Sequence, residues 1–164
     1  MVAASLVRTL RPLSELDYHD SRSVLLPARI TPIEAWNLVS ADQGPLMRLA
    51  FRTRDRISAL FGVTRIGGFS GTQRDAVQAG DQLDFFVVEH SAPDSLVMTN
   101  RDRHLDVMIC VSTADRLLTV TASVVTHNAF GRLYMVPVGL AHRLIVGRDL
   151  RRLQRRLAQI EPAS

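Results

Sequence analysis

From Gln82 to Thr126 apolar and polar residues alternate with period two, and before and after that stretch they recur with helical period. Period two puts successive side chains on opposite faces of a sheet, so the middle of the chain predicts strands over Leu83–Glu89, Ser95–Asn100, His104–Val111 and Leu117–Thr126. A turn centred between Ala114 and Asp115 would pair Leu105 with Val124, Val107 with Ala122, Ile109 with Val120 and Val111 with Leu118. Every such pair is apolar, whereas Asp106–Ser123, Met108–Thr121 and Cys110–Thr119 on the other face are mixed. One face of the sheet is therefore expected to carry the core and the other to meet water.

Upstream, Val24, Leu25 and Leu26 suggest a short first strand within 21–28. Thr31-Pro32-Ile33-Glu34 is a capping box with proline in the first helical turn, which predicts a helix from Pro32 to about Val39. Pro45 opens a second helix in which Leu46, Leu49, Ala50, Ile57, Leu60 and Phe61 fall within about 120° at 100° per residue. Arg48, Arg52 and Asp55 lie opposite that stripe, and Gly62 stands where a terminating glycine belongs. The glycine-rich Gly67–Gly71 lacks both the spacing and the lysine of a phosphate loop, and polar residues follow it, so it reads as a plain loop or a bulged strand.

Asn128 is a suitable cap for a last helix, from about Phe130 to Ala158. Within it Leu133, Val136, Leu140 and Leu144 form one stripe, and Val146, Leu150, Leu153 and Leu157 form another, rotated by roughly 120°. One straight helix cannot bury both on a flat surface. A bend at Pro137 and Gly139, or a break at Gly147, is the expected resolution.

One strand, two short helices, an antiparallel run and a long C-terminal helix make an α+β order, with a curved antiparallel sheet wrapped around that helix in a helix-grip. The 164 residues suit a single domain, with its core over about 17–157 and a basic amphipathic segment at 148–160. Twenty arginines and no lysine exclude lysine nucleophiles, Schiff bases and P-loop lysines. Residues 1–142 carry 14 arginines and 14 carboxylates, and residues 143–164 carry 6 and 2, so the net charge of +4 belongs to the last segment. There Arg148, Arg151, Arg152, Arg155 and Arg156 gather opposite the second aliphatic stripe. A neutral body offers no phosphate track, which excludes nucleic acid, and membrane contact is not expected of leucines that can pack on the domain or across a dimer. One cysteine, Cys110, excludes an internal disulfide, and five histidines without ligand spacing give no metal site. No cofactor is indicated. Without a signal segment or an 18-residue apolar run, the chain reads as cytoplasmic.

Asp102-Arg103-His104-Leu105-Asp106, His127-Asn128-x-x-Gly131-Arg132-x-Tyr134 and His142-Arg143-Leu144-Ile145-Val146 resemble the bacterial family known as domain of unknown function 2867, with Tyr18-x-Asp20 and Thr31-Pro32 fitting upstream. The chain departs from that pattern at Leu140, where the family has proline two residues before the motif histidine. The resemblance implies a START-like fold, similar to polyketide cyclases and lipid carriers, and a reductase as a partner, since such domains also occur joined to NAD(P)-binding reductases. A hydrophobic small molecule, held between the sheet and the last helix, is the ligand expected, and a homodimer is a further expectation. Trp36, Phe85, Met98, His104, His127, Tyr134 and His142 are the candidate contacts. The enzymatic alternative, a cyclase or hydratase, would pair His104 with Asp106, or Tyr134 with His127, as acid and base.

Overall fold

The computed structural model describes residues 6–62 and 67–160. Six antiparallel strands, β1 (Tyr18–Leu25), β2 (Gln82–Leu83), β3 (Phe86–Ala92), β4 (Ser95–Arg101), β5 (Leu105–Ala114) and β6 (Leu117–Thr126), form one sheet in the order β1-β6-β5-β4-β3-β2. Helices α1 (Pro32–Ala41) and α3 (Ala129–Ile160) pack on one side of it, and α2 (Pro45–Leu60) lies against α3 and the Phe69 and Phe85 rings. The capping box at Thr31 forms as its spacing predicts: the hydroxyl accepts from Glu34 N, and the Glu34 carboxylate returns to the Thr31 amide at 2.6 Å.

The β5–β6 register differs from the predicted one by two residues. Leu105 faces Thr126, Val107 faces Val124, Ile109 faces Ala122 and Val111 faces Val120, around a turn at Asp115-Arg116. Asp115 takes φ 57°, a left-handed value that a short polar side chain tolerates in a two-residue hairpin. A shift of two preserves side-chain parity, so the expected core face stands although the pairs do not. Leu96, Met98, Ile109, Val111, Leu118 and Ala122 are buried together on it.

Strand boundaries also move, β5 running Leu105–Ala114 where His104–Val111 is expected and β3 reaching Ala92. The first strand begins earlier, at Tyr18, because its polar residues Tyr18 to Ser23 pair along β6; Ser21 and Ser23 meet Thr121 and Thr119, each at 2.8 Å. The strand expected over Leu83–Glu89 is split by a turn at Asp84-Phe85, where Asp84 has φ 54°. The Gly67–Gly71 segment is a loop and not a bulged strand.

The face expected to be wet is covered in its middle. Residues 6–16 cross it: Leu10 N donates to Ser123 Oγ at 3.1 Å, and Cys110 Sγ lies 3.4 Å from both Arg8 N and Leu6 O. Cys110, Thr121 and Ser123 are fully buried there. Small polar side chains suit this position because they bond the crossing backbone, which has no strand partner of its own.

The last helix runs unbroken through Pro137 and Gly147. The conflict between its two stripes is resolved by leaving one uncovered: Leu150 and Leu153 are buried, whereas Leu133, Val136, Leu140 and Leu144 are 71%, 71%, 64% and 57% exposed. Glycines explain the choice. A Cβ at Gly131 would stand 2.3 Å from the His104 carbonyl oxygen, and one at Gly139 would stand 2.8 Å from the Tyr18 ring, so α3 touches the rest of the domain through its glycine face. On α2 the expected stripe is likewise only partly used. Leu49, Leu60 and Phe61 are exposed, while Ser58 is buried and Phe51, Arg54 and Asp55 turn inward. The arrangement is helix-grip-like.

Alanine gains about 1 kcal/mol over glycine in a helix interior, so Gly→Ala substitutions separate propensity from packing. Gly147→Ala, where the nearest atom is the movable end of Arg22 at 3.2 Å, is expected to raise the melting temperature. Gly131→Ala is expected to lower stability by about 1–3 kcal/mol, because backbone must give way. Denaturant titration of both variants checks this, and equal signs would refute it.

Candidate functional site

The seven candidate residues separate into different places. Trp36 and Phe85 join Phe51, Phe69 and Phe86 in an aromatic cluster: Trp36 meets Phe69 edge-on at 5.1 Å, Phe85 stacks on Phe69 at 5.4 Å, and Phe51 meets both edge-on. These rings hold the 67–71 loop against the helices and sheet. Met98 lies fully buried in the adjoining core.

His104 and Tyr134 sit at the start of α3. The His104 ring lies 4.6 Å from that of Phe130, with Nδ1 2.9 Å from the Asn128 amide nitrogen. Asn128 also caps α3, its side-chain oxygen accepting from Gly131 N at 2.9 Å. Tyr134 accepts from Arg54 Nε at 3.1 Å, and burial pushes its phenol above the ordinary value. His127 is on the opposite face of the sheet, 3.1 Å from Asp106, which also pairs with Arg101. Neither acid–base pair of the enzymatic alternative is formed: Asp106 serves His127 and Arg101, His104 serves Asn128, and Tyr134 serves Arg54. The physical reason is that His104 precedes β5, in a turn bonded to Asp102, so its side chain does not follow the alternation that aims Asp106.

His142 belongs to a brace between α3 and edge strand β1. Tyr18 Oη donates to the Gly139 carbonyl at 3.1 Å and lies 3.3 Å from His142 Nδ1. Beneath them Asp20 pairs with Arg22 at 2.9 Å and reaches Arg143 at 3.8 Å. Burial holds the His142 ring below its usual pKa, with Asp20 opposing. A neutral imidazole wedged against a glycine carbonyl and a phenol is a packing element.

A concave site lies on another flank of α3. The start of α2 and the second half of α3 enclose a cleft of about 400 Å³, lined by Leu46, Met47 and Ile145 together with Arg148, Asp149, Arg151, Arg152 and Arg155. Helix α2 starts at Gly44-Pro45 with no side-chain cap and no acidic residue in its first turn, so among the described residues no side chain bonds the positive end of its dipole. Gly44 admits a guanidinium to that end: a Cβ there would be 3.1 Å from Arg152 Nη1. Arg152 and Arg156 both pair with Asp42 at 3.1 Å, whereas Arg148, Arg151 and Arg155 have no ion pair among the described residues. Four arginines face one lining carboxylate.

Over residues 12–149 the chain matches the family described as a protein of unknown function, DUF2867. The chain belongs to DUF2867. No curated protein and no solved structure matches it. The match ends within the cleft, so Arg151, Arg152 and Arg155 lie beyond the matched span of the DUF2867 domain. The basic spacing of this segment was visible in the sequence; its placement against Gly44 and Pro45, about a hundred residues earlier, was not.

Asp149 is the cleft's titrating group. Burial raises its pKa from 3.8 to about 6, against the pull of Arg152 and Arg148 and with help from Asp42. The folded chain then keeps a proton that the unfolded chain has released. That stabilising contribution is complete below about pH 4 and is lost as pH rises through about 6. Asp149→Asn is accordingly expected to melt higher than wild type at pH 7 and together with it at pH 4. Melting curves at both values check the sign, and a wild type that is the more stable at pH 7 would contradict it.

Proposed function

We propose that this DUF2867 domain binds a small amphipathic anion, an apolar or aromatic molecule bearing a carboxylate or similar group, in the cleft between α2 and α3. The observation that carries the reading is the excess of positive charge: four arginines and an uncapped helix N-terminus converge on one concavity, and among the described residues Asp149 in the lining and Asp42 on Arg152 are the carboxylates set against them. A bound anion would accept from the α2 amides and from Arg148 and Arg151, and so relieve that repulsion. Leu46, Met47 and Ile145 give the apolar part of the ligand a surface to cover. The volume falls within the range of about 300–1,000 Å³ typical of ligand sites. The helix-grip-like topology supports a START-like domain that holds a small molecule, with the ligand on the α2 flank of the helix instead of the sheet flank.

Isothermal titration with decanoate and 2-naphthoate at low ionic strength tests the proposal. Binding is expected to weaken as salt is added, because exposed charges are screened. Arg148→Gln and Arg151→Gln are each expected to weaken it about tenfold, the loss of roughly 1.4 kcal/mol that one charged hydrogen bond supplies. No heat with either carboxylate, or affinities that ignore both substitutions, would overturn the reading.

A further inference from the structure

The exposed leucines of α3 are not alone. Helices α2 and α3 run antiparallel, pinned at one end by Arg54–Tyr134 at 3.1 Å and Phe61–Phe130 at 4.6 Å, and at the other by the cleft that Leu46 and Met47 share with Ile145. Leu133, Leu140 and Leu144 lie within about 40° on the α3 wheel, and Leu49 and Leu60 within about 20° on the α2 wheel. The buried residues of each helix face the sheet or the other helix, so both sets point outward on one helix-layer surface. Leu49, Leu60, Phe61, Leu133, Val136, Leu140 and Leu144 are all more than half exposed. Together they present roughly 800 Å² of apolar area, beyond the 300–600 Å² of an ordinary monomer's largest patch and equal to one side of a standard interface.

We propose that this face is the contact between two copies of the chain, related by a two-fold axis near Leu140 with the two α3 helices antiparallel. The placement of charge selects this occupant. On α3, Arg148, Arg151 and Arg155 crowd the C-terminal end of the face, and on α2 the exposed Arg56 falls between Leu49 and Leu60. Arg151 is 11 residues, about 16 Å, from Leu140, so antiparallel packing keeps the two arginine ends about 30 Å apart, several Debye lengths at physiological salt. The aliphatic middles of the two α3 helices then meet, leaving Arg148, Arg151 and Arg155 outside the contact. A lipid surface would instead favour tryptophan and tyrosine at its interface, and here Trp36 and Tyr134 turn inward while Phe61 is the aromatic ring exposed on the face. The contact does not depend on the cleft being occupied.

Sedimentation velocity and disulfide trapping test it. Wild type is expected at twice the 18.2 kDa chain mass, and Leu140→Glu/Leu144→Glu at the chain mass with unchanged helicity. The native cysteine, Cys110, is fully buried, so a single introduced thiol reports on the axis. Oxidised Leu140→Cys is expected to run as a covalent dimer, and Arg116→Cys, in the exposed β5–β6 turn, as a monomer. A wild-type monomer at 100 μM, a dimer that survives the double substitution, or Leu140→Cys that fails to cross-link would each overturn the proposal. A monomer that co-sediments with phosphatidylglycerol vesicles through these leucines would also overturn it, and would assign the face to a membrane.

Discussion

The close approach of α3 to the turn before β5 and to edge strand β1 governs the rest of the molecule. It is possible only because Gly131 meets the His104 carbonyl and Gly139 meets the Tyr18 ring where no Cβ could fit. With those two contacts set, the rotation of a 32-residue helix about its axis is set as well. Gly139, Ile145, Leu150 and Leu153 turn inward, and the Leu133–Leu144 stripe turns out. The same rotation carries Arg148 and Arg152 to the start of α2. Cleft and leucine face are thus two consequences of one packing event.

Polar groups mark where the sheet is approached by backbone instead of side chains. On the helix side, Tyr18, Asp20 and Arg22 of β1 meet His142 and Arg143 in a bonded brace where an apolar edge would be expected. On the opposite side, Cys110 and Ser123 receive the N-terminal crossing segment. Burial pushes the Cys110 thiol up, which makes it a small packing residue with little thiolate character. On the outer side a hydroxyl and a thiol satisfy backbone that has no strand partner, and on the helix side the Tyr18 phenol joins the Gly139 carbonyl to the His142 ring.

The histidine motifs by which the sequence resembles the DUF2867 family divide among three local tasks. His104 and Asn128 shape the start of α3, His127 answers Asp106 on the outer face, and His142 wedges α3 against β1. Their spacing reads like a catalytic set because strand and helix motifs lie close along the chain. The strand pleat and the helix turn then aim them apart. The cleft, by contrast, is built from arginines that look like an ordinary solvated face and from a helix start whose only sequence sign is Gly44-Pro45.

Local physics was legible in the residues themselves: the capping box at Thr31, the Asn128 cap, period-two strands with the correct core parity, and two incompatible stripes on the last helix. Each depends on neighbours within a few positions, where backbone sterics and hydrogen-bond geometry dominate. Tertiary structure decided which stripe is buried, which two residues close the β5–β6 turn, and what the arginines face. Those outcomes rest on contacts between residues a hundred positions apart, such as Gly139 with Tyr18 and Arg152 with Gly44. A hydrophobic pattern states that a face can be buried; only the packing of distant elements settles which face is, because steric fit at a few close approaches outweighs the area two similar stripes offer.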